Sequence, residues 1–266
     1  MAIAGPPAYI DPNARAALAG TGALRRGRGL LEYIGLPIVL AAVCLVLFVW
    51  VGQQELGSTE RRLLTVERIS TAFIEHMTLT VVSTVFVVLI AVPLGVLLTR
   101  PAARALLPPV ISLANMGQAV PSIGVLVLLA LGWAIGFWPA IIALVIYSIL
   151  PVLRNTMVGL QQVDQSVIEA ARGMGMTKGS VLRRIELPLA VPVMLAGVRT
   201  ALVINVGTAT LATFVNAGGL GDIINGGIVA NRQIITLVGS VLTASLALLI
   251  DHIGGIAENQ LSPKGL

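Results

Sequence analysis

Between Arg104 and Arg154 the chain carries no charged side chain at all. A soluble domain spreads charge over roughly a quarter of its residues, so an uncharged stretch of this length calls for a solvent other than water. The whole chain agrees, with 11% charged and 56% hydrophobic residues. Since about 20 mostly apolar residues form one membrane-crossing helix, the run has room for two. "GFWP", Gly136 to Pro139, supplies the break, because glycine and proline turn a chain and tryptophan favours the membrane interface.

The other apolar runs are counted in the same way. Tyr33–Gln54 and Met77–Thr99 each provide a span before the uncharged stretch. Leu189–Val215, tolerating Arg199 near one end, and Gln233–Ile250 follow it. The expected fold is therefore an all-α polytopic membrane protein with about six transmembrane helices. A β-barrel is excluded, because these runs are continuously apolar where barrel strands alternate. The first run follows Arg25, Arg26 and Arg28 as a secretory signal would, but it is too long for one and no small-x-small cleavage site follows it. An uncleaved anchor is expected.

Orientation comes from Lys and Arg, which favour the cytoplasmic side. With the N-terminus inside, the inner segments hold Arg15, Arg25, Arg26, Arg28, Arg100, Arg104, Arg154, Arg172, Lys178, Arg183, Arg184 and Lys264. The outer ones hold only Arg61, Arg62, Arg68 and Arg232. Both termini are thus expected in the cytoplasm. The formal charge of +5 is scattered through loops without an aromatic-interleaved stripe, so nucleic acid is not an expected partner. The single cysteine, Cys44, rules out a disulfide framework and reads as a packing residue.

The stretch "EAARGMGMTKGSVLRRIELP", Glu169 to Pro188, is polar between two oily blocks. It reads as two short helices around a glycine joint. Asp164 or Ser166 can cap the first, and Ser166 with Glu169 has the spacing of a capping box. Gly173 and Gly175 stop that helix, Thr177 or Ser180 starts the second, and Pro188 opens the fifth span. Val167, Ile168 and Ala171 form a small apolar face edged by Glu169 and Arg172. Such a knob suits a groove on a cytoplasmic partner, while a solvated connector is the other reading.

Glu169-Ala170-Ala171, three residues, Gly175, nine residues and Ile185-Glu186-Leu187-Pro188 resemble the complete EAA loop of permease subunits of bacterial binding-protein-dependent ABC importers. The resemblance covers about Glu75 to Ala257. Segments such as "AVPLGVLLTR", "GQAVPSIGVLVLLALG", "YSILPVLRNTMVGL" and "GTATLATFVNAGGLGDIINGGI" resemble the osmoprotectant branch, whose members import glycine betaine, choline or carnitine.

The resemblance implies a permease core at 76–257 with its loop at 159–188, after a cytoplasmic segment 1–30 and an anchor with a charged external stretch at 31–75; a tail, 258–266, would follow. It further implies that Val167, Ile168, Glu169, Ala170, Ala171, Gly175, Ile185, Leu187 and Pro188 couple the permease to an ATPase. Implied partners are two cytoplasmic ATP-binding subunits, a substrate-binding protein and a second permease, identical or paralogous, in a bacterial inner membrane. ATP and Mg would be bound by the partner ATPase, with no cofactor in this chain; this chain would be a permease and not an enzyme. In agreement, no Gly-x-x-x-x-Gly-Lys-Ser/Thr phosphate loop occurs. An importer of other small solutes, such as amino acids, is the nearest alternative.

A path for a polar solute needs polar groups inside the bundle. Gln118 and Ser122 flank Pro121, and Asn205, Thr208, Thr210 and Thr213 lie in the fifth span. They either line the path or fasten helices together. Asp251 and His252 read as marking an inner helix end, His76 an outer boundary, and Arg199 as snorkelling or pairing within the bundle. A secondary transporter would show inverted repeats and mid-membrane carboxylates, and neither is visible. An intramembrane enzyme would need a metal cluster or a nucleophile–base pair at one depth, and none stands out. A non-transporting scaffold could use the same loop.

Overall fold

A computed structural model describes residues 30–261. The expected segment 1–30, except Leu30, and the last five residues of the expected tail lie outside the described residues. The chain divides into two units, Met1–Val39 and Leu40–Leu266. Of the first, only the start of the first helix falls within the described residues; every other described element belongs to the second.

Every described element is helical. The first helix, α1, runs Leu30–Gly52, and Leu45, Val46 and Phe48 on it are more than 60% exposed, as befits a lipid-facing surface. The Cys44 thiol stands 3.8 Å from the Ser245 hydroxyl, a packing contact. A short helix α2, Ser58–Leu63, precedes α3, Val66–Leu98. The second span therefore begins about three turns earlier than its uncharged part, and the expected boundary at 75/76 falls inside a helix. Thr65 caps it, accepting a hydrogen bond from the Arg68 amide at 3.2 Å.

The uncharged stretch contains a feature that its composition hides. After a 3₁₀ segment, Pro101–Leu106, helices α4 (Leu107–Ala119) and α5 (Ser122–Gly132) meet at 95°. Val120 is forced into extended backbone before Pro121, which ends α4 and starts α5. Leu107, Val110, Ile111 and Ala114 of α4 pack with Leu98, Val152 and Leu153. Leu126 of α5 packs with Leu79, Ala140 and Leu144, nearer the other end of the same neighbours. The bent pair thus travels along the bundle as one broken crossing. Among the described residues five helices are long and apolar enough to cross a membrane, and counting the bent pair as one broken span makes six.

The break at Gly136–Pro139 stands where the sequence places it. Gly136 adopts φ +114° and donates its N–H to the Val215 carbonyl before α6, Phe137–Gln161, begins. The loop helices α7 (Gln165–Gly173) and α8 (Lys178–Val181) follow. From Lys178 the chain stays helical to Val215, and Pro188 opens the regular α-helix of the fifth span, Leu187–Ala209, directly out of a preceding helical turn and not out of a loop. It has no N–H to offer the Arg184 carbonyl, and the ladder widens before it: Leu182–Glu186 forms a π-turn, with the Leu187 N–H reaching Leu182.

Helix α9, Leu187–Ala209, tightens into a 3₁₀ segment, Thr210–Val215. A glycine turn leads to α10, Leu220–Val229, too short to cross, and α11, Gln233–Leu261, completes the fold. α11 carries on past Asp251 for nearly three turns, so Asp251 and His252 mark no helix end. Asp251 holds Arg199 in a two-point ion pair, Nε and Nη2 each 2.7 Å from a carboxylate oxygen, with Glu258 at 3.5 Å. Arg199 is paired within the bundle, one of its two expected fates.

Candidate functional site

Two regions bear the residues singled out from sequence: the loop at one end of the bundle and the polar part of α9 with the cavities at the far end.

In the loop, Asp164 is the cap of α7, its carboxylate accepting from the Ser166 N–H at 2.8 Å. Ser166 is already inside the helix, so the expected capping box with Glu169 does not form. Hydrogen bonds from the Ser166 backbone and then its hydroxyl hold the Asp164 carboxyl below the usual range. The cap is therefore in place above the carboxyl's ordinary pKa, and its contribution is lost as pH falls through the lowered value. The other end is closed by a paired motif: the Gly175 N–H bonds to the Arg172 carbonyl and the Met176 N–H to the Ala171 carbonyl. That pairing requires a left-handed residue, and Gly175 has φ +86°. Thr177 then caps α8 through the Ser180 N–H.

The apolar face of α7 is turned differently from expectation. Ala171 is 1% exposed and Ile168 half-buried against this chain itself, so neither can be the outer surface of a knob. What α7 shows to water is Val167, 42% exposed, Ala170 and Met174, 78% exposed, at helical spacing, with Glu169 and Arg172 beside them. Ile185 and Leu187 are half-buried, Leu187 against Leu160, Ala190 and Met194. Pro188 is exposed. Behind α7 lies a cavity of about 500 Å³ lined by Ile168, Arg172, Lys178, Arg100 and Glu186 among others.

Glu186, within the loop motif, was not among the residues expected to act. Its side chain is 8% exposed and accepts two hydrogen bonds, of 3.3 and 2.5 Å, from Arg100, which lies just past the end of α3. The pair fastens the π-turn to the neighbouring span. An isolated glutamate within an otherwise apolar "IELP" was the signal available in sequence; its partner, 86 residues away, had none.

At the far end, Thr213 is half-buried and opens into a cavity of about 360 Å³ with Arg62, Arg68, Asp222 and Asn225. A second cavity, of about 440 Å³, shares Arg62, Arg68 and Asp222 and adds Glu67 and Glu75. Thr208 and Thr210 are half-buried, and Thr210 returns its hydroxyl to the Gly207 carbonyl. Gln118 donates to the Tyr147 carbonyl at 2.9 Å, joining α4 to α6, and Ser122 begins α5.

Asn205 is placed otherwise. It is 0% exposed, and its amide donates to the Thr84 hydroxyl at 2.9 Å, bracing α9 against α3. The hydrogen bond fastens two helices, one of the two roles expected of Asn205. Interhelical hydrogen bonds in membranes contribute modestly, and Asn205→Leu is expected to destabilise the permease by about 0.6 to 1.7 kcal/mol. Transport per assembled complex should stay near the unmodified value. Thermal unfolding and uptake measured on the same preparation check both; uptake lost at unchanged stability would return Asn205 to the path.

Residues 91–262 match the family described as binding-protein-dependent transport system inner membrane component. The chain belongs to that family. The permease is 41% identical over 192 residues to the choline transport system permease protein OpuBB of Bacillus subtilis, covering 72% of this chain and 88% of the relative. With the osmoprotectant import permease protein OsmY of Salmonella typhimurium it shares 40% identity over 235 residues, 88% of this chain and 97% of the relative. Among solved structures, an inward-facing conformation of the MetNI methionine ABC transporter contains a chain 26% identical, with a TM-score of 0.66. The match covers 78% of the permease and all of that chain. These likenesses establish an all-α, multi-pass ABC permease fold.

Proposed function

We propose that this permease forms the translocation path of an ATP-driven importer for osmoprotectants such as glycine betaine, choline or carnitine. The observation that carries the coupling part is the surface of α7: Val167, Ala170 and Met174 exposed on a helix whose two ends are both locked. An apolar face held out in water at a fixed angle is what a partner groove requires. The relatives at about 40% identity, named for choline and osmoprotectant transport, supply the solute class.

On this reading two cytoplasmic ATP-binding subunits dock on the loops of two permeases, and a substrate-binding protein delivers solute to the far end. ATP and Mg belong to the docked subunits. Closure of those subunits draws the loops together and opens the path towards the binding protein; hydrolysis resets it. Thr208, Thr210 and Thr213 offer hydroxyl dipoles along the path, with Asn205 as brace. A quaternary amine cannot shed its charge, so dipoles and water must replace its hydration. Reconstituted with its partners, the permease should take up choline or glycine betaine only when ATP is present. Uptake restricted to amino acids would reassign the solute, and uptake without ATP would reassign the class.

Orientation follows the arginine bias, with both termini and the loop cytoplasmic. In a Cys44→Ser background, single cysteines at Thr59 and Gly226, which share the smaller far-end cavity, should react with a membrane-impermeant thiol reagent applied outside. One at Lys178 should react only after the membrane is opened. External labelling of position 178 would reverse the orientation.

A further inference from the structure

Glu75 and His76, neighbours on α3, hold a segment more than 120 residues away in sequence. His76 is wholly buried. Its Nε2 lies 3.0 Å from the Val206 carbonyl oxygen, and its Nδ1 receives the Leu220 N–H at 3.3 Å. A ring nitrogen that accepts carries no hydrogen, so Nε2 is the donor and the imidazole is neutral in one tautomer. Glu75 accepts the Gly219 N–H on Oε2 at 2.9 Å. Two successive N–H groups at the start of α10, which no helix can satisfy from within, are therefore met from another helix.

Both ends of the arrangement are shaped for it. The Val206 carbonyl is free because the ladder tightens there: the Thr210 N–H bonds to Gly207 and Thr208. Gly218 and Gly219 have φ of +81° and +100°, and a Cβ on either would press on Glu75 or His76. Two residues beyond Gly219, a Cβ on Gly221 would collide with the Thr210 carbonyl. The pair thus ties α3, the last turn of α9 and the first of α10 into one joint, with Thr208, Thr210 and Thr213 on the chain between its anchor points.

We propose that Glu75 and His76 are positioning residues for transport: by clasping the glycine turn they set the angle at which the Thr208–Thr213 segment faces the solute. The proposal rests on the reading that these threonines line the path. Thr213 opens into the far-end cavity whose neighbour Glu75 lines, so the clasp and the lining meet at one mouth.

The test uses the whole reconstituted transporter carrying Cys44→Ser and Thr213→Cys, labelled from the binding-protein side with a membrane-impermeant maleimide. Glu75→Ala or His76→Ala removes one net hydrogen bond or two, and should shift the labelling rate about two- to tenfold. In Thr213 permease, each should raise the KM for solute more than it lowers ATP hydrolysis. Glu75→Gln still offers an oxygen to Gly219, and His76→Gln offers both an acceptor and a donor; both should keep the parent's rate and KM. Labelling of position 213 that no alanine variant alters would overturn the clasp and leave the lining intact. An unlabelled position 213 in active transporter would overturn the lining and, with it, the clasp's role. Should His76→Ala fail to assemble, the exposed Glu75 decides: Glu75→Gln falling as far as Glu75→Ala would also overturn the proposal.

Discussion

Gly175→Asp is expected to cut solute-stimulated ATP hydrolysis in the assembled transporter by about tenfold or more, with the permease still inserted in its membrane. The reason lies in the closing turn of α7. At φ +86° any side chain costs about 1 kcal/mol or more, although nothing stands within 4 Å of where a Cβ would be. The loss is thus conformational and not steric. It frees Met174 and the end of α7 from the pose fixed by the Gly175 and Met176 amides. Aspartate adds a charge beside a face that docking would desolvate. Asparagine tolerates left-handed backbone, so the series should run Asn mildest, Ala intermediate, Asp worst. ATPase assays with saturating binding protein read it directly; an alanine variant as active as the parent would show that the turn does not fix the docking face.

Breaking the Arg100–Glu186 pair should be strongly asymmetric. Arg100→Ala strands a carboxylate that is 8% exposed, and losing the partner of a buried charge costs about 3 kcal/mol or more. Glu186→Ala strands an arginine whose side chain is 36% exposed and can turn to water, for about 1 kcal/mol or less. The double variant should therefore recover much of what Arg100→Ala loses. Unfolding midpoints across the four proteins of the cycle measure this. Equal single losses that simply add would mean that the two groups hold nothing together.

The legibility of the sequence follows the range of each interaction. Spans one, two, four, five and six were legible because a membrane helix must be apolar throughout, a property of consecutive residues. The loop was legible because caps and glycine stops are also local, and Gly175 sits in the conformation its type suggested. Boundaries moved where charge was tolerated: α3 begins at Val66 because Glu67 and Arg68 lie exposed at its end. What escaped was non-local. Arg199–Asp251 spans 52 residues, Arg100–Glu186 spans 86 and His76–Leu220 spans 144, and in each the polar partner looked like an isolated anomaly. The choice between lining and fastening stayed open for Asn205 for the same reason, because a polar group in an apolar helix looks alike whether it meets solute or Thr84, 121 residues away.

The elbow at Val120–Pro121 bears on how the protein is made. Its arms, Leu107–Ala119 and Ser122–Gly132, are each shorter than the lipid core is thick, so neither is a stable span alone. The backbone at their corner needs other protein around it, because hydrocarbon offers its polar groups nothing. Yet α4 and α5 leave the ribosome before α6, whose Tyr147 carbonyl receives Gln118 and whose Ala140 and Leu144 receive Leu126. The nascent chain is therefore expected to hold the elbow out of the lipid core until the following helix arrives. Insertion and tertiary folding are expected to be one step at that point, with the α4–α6 hairpin entering the bilayer as a unit.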